Sequence, residues 1–248
     1  MISKARIKFI KSLQVKKYRK EAQSFIVEGA KSVEELLRSD FELLNLFATD
    51  EFIGKNESLI KKRSAEIQEV TESELGSAGA FQTNTSALAI ARMKKNAAPL
   101  IDPDQYALVL DDVRDPGNLG TIIRTADWYG ITTIIASEET ADFYNPKVIS
   151  ATMGSFCRVN VFYTSLNDFL STVTTSVYGT FLNGQDIHTL SFARGGFIVI
   201  GNEANGISAE VEKKLTQKIT IPAFGKAESL NAGVATAIVL DNLRRSKK

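Results

Sequence analysis

The sequence predicts an α/β protein in two parts, the second built on a mainly parallel sheet flanked by helices. Short apolar runs of strand length recur at 107–110, Thr133–Ala136, 158–162, 177–182, 197–200 and 218–221, and helix-length segments separate most of them. Continuous apolar runs, as opposed to alternating ones, suit strands covered on both faces, the situation of a parallel sheet. The stretch 95–104 carries Pro99 and Pro103 and no apolar period, so it reads as a connection. A chain of 248 residues exceeds one ordinary domain. The expected division is a domain over 1–95, a linker over 96–105 and a larger domain over 106–248.

Taken in order, residues 5–18 read as a helix, with Ile7, Ile10 and Leu13 on one face. Ser24–Glu28 reads as a short strand, 29–37 as a helix and Leu43–Ala48 as a strand. A polar amphipathic stretch follows at 56–66, then strand signals at 67–70 and Ala87–Arg92. Alternation of this kind makes a small α/β domain. In the second part, parallel strands joined by helices predict a doubly wound sheet with its ligands at the carboxyl ends of the strands.

Composition narrows the function. The apolar fraction of 44% is that of an ordinary globular core. A single cysteine, Cys157, excludes an internal disulfide, and a single histidine, His188, cannot build a His-based metal centre, so no metal is expected. No apolar stretch approaches the roughly 18 residues that span a bilayer, and a cytoplasmic setting is expected. The net charge of +1 hides a strong asymmetry. Residues 1–20 carry Lys4, Arg6, Lys8, Lys11, Lys16, Lys17, Arg19 and Lys20 with no acid, and the chain ends Arg244-Arg245-Ser246-Lys247-Lys248. Such stripes suit phosphate backbones. The alternative is a solvated amphipathic helix.

Three segments carry chemistry. The first, 115–130, begins Asp115-Pro116-Gly117-Asn118 at the expected start of a helix, where free N–H groups attract anions, with Arg124 further along. Asn118 could equally be a plain helix cap, and Arg124 an ion-pair partner of Asp127. The second, 197–208, is a strand followed by Gly201, Asn202, Glu203 and Gly206, two glycines that let backbone approach a flat ligand, or a structural turn. Ser208 then starts another helix. The third, 221–235, breaks at Pro222 and Gly225 and is expected to re-enter order as a helix at Ser229. There the Ser229 hydroxyl, the Asn231 amide and unpaired N–H groups would face one space lined by Leu230 and Val234.

In this order and at these spacings the three segments resemble the SpoU (TrmH-like) branch of the SPOUT RNA methyltransferases. The resemblance covers roughly residues 106–245 and, more loosely, the N-terminal part, which is similar to that family's ribosomal-protein-like substrate-binding domain. It implies a deep trefoil knot in the C-terminal sheet, a topology that pattern alone would have argued against. It implies S-adenosylmethionine as cofactor, cupped by Ile200, Gly201, Asn202, Gly206, Ile221 and Leu230, with the segment running to Ala235 closing it. It implies methyl transfer to a ribose 2′-hydroxyl of structured RNA, rRNA ahead of tRNA. Carried over by motif position, Arg124 holds the RNA phosphate, Asn118 orients Arg124 or the ribose, Glu203 fixes the polar network, and Ser229 with Asn231 position substrate and cofactor.

A homodimer is also implied, joined by the first-motif helix and the C-terminal helix. Two positions depart from the family pattern: Ala204 stands where glycine is common, and Gly233 where alanine or a small hydroxyl is common. A non-catalytic RNA-binding protein of the same fold is the alternative, but retention of Asn118, Arg124, Glu203, Ser229 and Asn231 argues against it. A nucleotide-binding oxidoreductase would need a G-x-G-x-x-G turn that this chain lacks.

Overall fold

The computed structural model describes residues 1–81 and 83–246. The chain divides into two compact units: Met1–Lys95 with Asp142–Cys157, and Asn96–Ala141 with the chain from Arg158 onward.

The first unit opens with α1 (Lys4–Ser12) and α2 (Lys16–Ala22). These replace the single helix expected over 5–18. Leu13 turns into the core, fully buried, and Val15 is extended at φ −98°, ψ 128°, a geometry no helix interior accepts. Then follow β1 (Ser24–Glu28), α3 (Ala30–Arg38), β2 (Leu43–Ala48), α4 (Asp50–Lys55), α5 (Glu57–Ile60), β3 (Glu66–Glu69), α6 (Glu72–Ala78) and β4 (Ala87–Arg92). Of the stretch 56–66 only α5 is helical. The helix α6 was legible but not anticipated: Thr71 and Glu74 form a capping box, each side chain bonded to the other's backbone N–H.

The four strands run in the order β1-β4-β2-β3, antiparallel except for β2 with β3. Ile10, Leu13, Ile26, Phe47, Leu75, Leu88 and Ile90 form a core beneath them. Residues 142–157 add a second patch to this unit, where Tyr144 and Phe156 pack on Phe25 at ring distances of 4.6 and 6.1 Å. There Arg19, 1% exposed, sits 2.5 Å from the Asp142 carboxylate and also donates to the Leu13 carbonyl at 2.8 Å. Glu28 accepts from the backbone N–H groups of Ala80 (2.8 Å) and Phe81 (3.4 Å), and its burial holds its carboxyl above the usual range despite them.

The second unit contains β5 (Tyr106–Leu110), α7 (Pro116–Trp128), β6 (Thr133–Ala136), β7 (Asn160–Tyr163), α9 (Leu166–Ser171), β8 (Val177–Asp186), β9 (Gly196–Ile200), α10 (Ala209–Glu212), β10 (Gln217–Thr220) and α11 (Ala232–Arg245); α8 (Pro146–Ala151) belongs to the first unit. Its six strands lie in the order β10-β8-β9-β5-β6-β7, and every neighbouring pair is parallel. All residues of β5 and β9 are buried, which is why these strands read as continuous apolar runs. From β5 the chain moves one way to β6 and β7 and then returns to place β9 on the other side of β5. The order therefore reverses between β5 and β9, and at such a point the loops leaving the strands diverge and open a crevice at their carboxyl ends. Among the described residues no helix is long and apolar enough to cross a membrane.

Candidate functional site

The first two motifs leave the sheet at that reversal point. The Asp111 N–H donates to the Ile200 carbonyl at 2.9 Å, so the carboxyl ends of β5 and β9 are tied edge to edge. The loops beyond are cross-braced. The buried Asp111 carboxylate accepts from the Ser208 N–H at 2.7 Å, and the Asn202 amide donates to the Asp112 carbonyl at 2.7 Å. Asn202 also closes its own loop. Its side-chain oxygen accepts from the N–H groups of Ala204 (2.9 Å) and Asn205 (3.0 Å), and its backbone pairs with Gly206 in both directions (2.9 and 3.0 Å).

The two glycines of this loop have different duties. Gly206 sits at φ +69°, a conformation that disfavours any side chain, with open space where a Cβ would point. A Cβ on Gly201 would instead lie 2.3 Å from the Gly206 carbonyl carbon and 2.5 Å from the Ile207 nitrogen. The small size of Gly201 is thus required by closure of its own loop, in keeping with the structural-turn alternative for this segment. Ile200 is 2% exposed, and its carbonyl accepts from the Asp111 N–H.

Asp115 caps α7, accepting from the Asn118 N–H at 2.8 Å, with Pro116 in the first turn. Asn118 is therefore not the cap, and its side chain is free to act elsewhere. It donates to the Glu203 carboxylate at 2.6 Å and accepts from the Asn231 amide at 2.7 Å. Asn231 in turn caps α11, its oxygen accepting from the N–H groups of Gly233 (2.9 Å) and Val234 (3.3 Å). One hydrogen-bonded chain, Asn231 to Asn118 to Glu203, joins all three motifs.

The helix α11 begins at Ala232, so Ser229 lies before it in an exposed loop and not at its start. Among the described residues no hydrogen bond engages the backbone of 223–230, and a Cβ on Gly225 would meet nothing within 4 Å. Main-chain donors and acceptors left open beside Ile221 and Leu230 fit a ligand held chiefly by backbone, the mode implied for the expected cofactor. Leu230 and Val234 are about half exposed, while Val239 is fully buried and belongs to the core; Ala235 and Ile238 are intermediate.

The packing of α11 on α7 holds the chain of three side chains in register. Gly233 faces Thr121 so closely that a Cβ would lie 2.8 Å from the Thr121 methyl, which explains the glycine at this position. At the far end Arg244 donates to the Tyr129 carbonyl at 2.7 Å and the Tyr129 hydroxyl donates to Asp241 at 3.4 Å. Arg245 lies 3.8 Å from Asp241, while Lys247 and Lys248 fall outside the described residues.

Arg124 is not part of the chain. It stands six residues beyond Asn118, about 120° around α7, and about 12 Å along the axis from Pro116. It is exposed, and among the described residues it makes no hydrogen bond or ion pair. The Asp127 carboxylate, its candidate partner, is held by Arg158 at 2.8 Å instead. Asp111, Asp115 and Arg158 were not anticipated; for the two acids, their place just after an apolar strand is a readable sign of loop-bracing carboxylates.

The description "SpoU rRNA Methylase family" matches residues 105–241, and "MRM3-like substrate binding domain" matches residues 4–89. The chain is 29% identical to the 23S rRNA (guanosine(2553)-2′-O)-methyltransferase RlmP of Bacillus subtilis, over 96% of both chains. It is similar to the structure of a TrmH-family protein from Porphyromonas gingivalis (35% identity, TM-score 0.87, 99% of both chains). An AdoMet-bound rRNA methyltransferase from Sinorhizobium meliloti superposes at TM-score 0.88, with 31% identity over 99% of this chain and 96% of that one.

Proposed function

This chain belongs to the SpoU rRNA methylase family and is an S-adenosylmethionine-dependent rRNA 2′-O-methyltransferase, and from that premise we propose that it methylates a guanosine of large-subunit rRNA. The guanosine and the large subunit follow the full-length relative from Bacillus subtilis. The cytoplasm, where such RNA is assembled into ribosomes, is the proposed location. The domain over 1–95 is assigned to RNA recognition and 106–248 to catalysis, except that 142–157 packs with the first unit, and the knot expected for the family is taken to close around 221–235.

The cofactor supplies an electrophilic methyl group. Main-chain groups of Ile200, Gly201, Asn202, Gly206, Ile221, Leu230 and Ala235 are proposed to hold it, which accounts for the absence of a charged fingerprint in the motifs. The ribose hydroxyl is a weak acid, and no histidine lies in the motifs to take its proton. A guanidinium cannot serve as that base, but it can fix a phosphate and stabilise the developing alkoxide. Arg124 is assigned this role. Asn118, locked between Glu203 and Asn231, orients the ribose, and Ser229 contacts substrate or cofactor from the open loop.

Arg124 stands about 120° around α7 from Asn118 of its own chain, and we assign the arginine at the site to a second copy. A homodimer meeting through the exposed sides of α7 and α11 provides this. Exposed apolar side chains are available on these elements: Trp128 (82% exposed) at the end of α7, Val234 at the start of α11 and Leu230 just before it. The observation that carries the reading is the Asn231–Asn118–Glu203 chain, which brings one residue of each motif to a single place: Asn118 in the first turn of α7, Asn231 at the cap of α11 and Glu203 in the loop after β9. Mapping 2′-O-methyl groups of rRNA by mass spectrometry in a deletion strain tests it. One guanosine should lose its methyl group and regain it when the gene is restored; an unchanged map refutes the assignment.

A further inference from the structure

Outside the motif site, the hairpin of α1 and α2 concentrates exposed cations. Lys4, Lys8 and Lys11 recur at i, i+4 and i+7 on the exposed side of α1, and Lys16 and Lys20 at i, i+4 on α2. Among the described residues none of these five ammonium groups has a hydrogen-bond or ion-pair partner. The arginines of the hairpin behave differently: Arg6 lies 2.8 Å from Glu66 and Arg19 is buried against Asp142. By contrast, on α3 Lys31 pairs with Glu35 at 2.7 Å, and at the end of α5 Lys61 pairs with Glu57 at 2.6 Å. On the hairpin only Lys17 does so, with Glu21 at 3.9 Å. A helix face that merely solvates itself would share the pattern of α3 and α5; this one is left uncompensated.

Exposed apolar side chains sit among these cations. Phe9 is 37%, Tyr18 45% and Val15 50% exposed. Beside Lys11 a polar cleft of about 510 Å³ opens between α1 and α6, lined also by Glu72, Ser73, Gly76 and Ser77. Cations meet phosphates, and flat rings interleaved with them offer stacking platforms to bases that are not paired in a duplex.

We propose that the α1–α2 hairpin is the docking surface for a stem–loop of the substrate rRNA, with the lysine stripes on the phosphates of the stem and Phe9 and Tyr18 stacked on unpaired loop bases. This rests on the rRNA reading above and states which surface takes the RNA and which RNA feature it takes.

The test uses the full-length protein and two labelled probes, an RNA stem–loop and a blunt duplex of the same stem, titrated by fluorescence anisotropy over a series of KCl concentrations. Replacing Lys4, Lys8, Lys11, Lys16 and Lys20 together by Gln should weaken both probes and lower the slope of log affinity against log salt by about one for each phosphate contact removed. Tyr18→Ala and Phe9→Ala should each weaken the stem–loop by about tenfold and leave the duplex unchanged. Equal weakening of both probes by the ring variants overturns the stacking, and an unchanged salt slope in the lysine variant overturns the surface. So does binding of anionic phosphatidylserine vesicles that the lysine variant loses while its RNA binding is intact. Unchanged thermal melts verify that each variant is folded, and calorimetry with S-adenosylmethionine, expected unchanged, verifies that the cofactor site is intact. Methylation of rRNA by the unaltered protein is measured alongside, so that a failure of the methyltransferase reading is seen separately from a failure of the hairpin.

Discussion

The Glu203 carboxylate accepts a 2.6 Å hydrogen bond from the Asn118 amide across 85 residues of sequence, and the same Asn118 accepts from Asn231 at 2.7 Å. An amide with both ends engaged has one orientation. Glu203→Ala removes the acceptor and frees Asn118 to turn. We expect methyl transfer to fall about tenfold to a hundredfold in single-turnover assays, with S-adenosylmethionine affinity retained. Glu203→Gln keeps an acceptor oxygen and should lose much less. Because the pair is exposed, thermal stability should move by no more than about 0.5 kcal/mol in either variant. Equal losses from Ala and Gln would mean that the carboxylate acts by its charge and not by holding Asn118.

Arg124, exposed and without a partner among the described residues, has no structural duty for a substitution to disturb. Arg124→Ala should leave folding and cofactor binding intact and cost about a hundredfold or more in methyl transfer, the scale of one preorganised charge-stabilising donor. Lysine should rescue poorly, since a point charge cannot hold phosphate and ribose oxygens in a fork. Near-normal transfer of tritiated methyl groups by Arg124→Ala would remove this residue from the mechanism.

In the first unit, Arg19 and Asp142 form an ion pair whose arginine is 1% exposed. Removing one partner leaves the other buried and uncompensated, at a cost of about 3–5 kcal/mol. Arg19→Met should therefore lower the melting temperature by roughly 2–4 °C for each kcal/mol lost. Arg19→Met combined with Asp142→Asn should recover part of the loss. A calorimetric loss below about 1 kcal/mol in the single variant would contradict the burial.

Burial raises the Glu28 carboxyl above its ordinary value, against the opposing effect of its hydrogen bonds from Ala80, Phe81 and Asn84. A raised folded value means that the protonated form is favoured on folding. This contribution to stability is complete below the unfolded value near 4.5 and is lost as pH rises through the folded value. Glu28→Gln lacks that titration. The difference in melting temperature between the protein and this variant should change between pH 4 and 7, in the sense that the wild type gains on acidification relative to the variant. A constant difference across that range would show the carboxyl to be unperturbed.

Gly233→Ala should be destabilising although alanine is favoured over glycine in a helix by about 1 kcal/mol, because the new methyl group meets Thr121. Thr121→Ser, which removes the contacting methyl, should restore part of the loss when combined with it. A stabilised single variant, seen in thermal melts, would show that α7 and α11 can separate without cost.

The sequence by itself determined the fold class, the family and the order of the strands in the chain, because these depend on local quantities. Continuous apolar runs such as 107–110 and 197–200 report burial on both faces, and turn residues such as Pro116, Gly206 and Pro222 report where the backbone must bend. Even the capping box at Thr71 and Glu74 was written locally. Only the tertiary structure decided what each polar side chain does. Asp115 and Asn118 stand three residues apart in a helix start and either could cap it; which one does depends on Glu203 and Asn231, brought to Asn118 by the packing of α11 on α7 and by the placement of β9 beside β5. The break between α1 and α2 was hidden for the same reason: the chain turns extended at Val15 while Leu13 fills a core assembled from β1, β4 and α6. Hydrogen-bond partners and core contacts between distant segments carry no local signature, and so Arg124's freedom and Asp127's attachment to Arg158 became visible only in three dimensions.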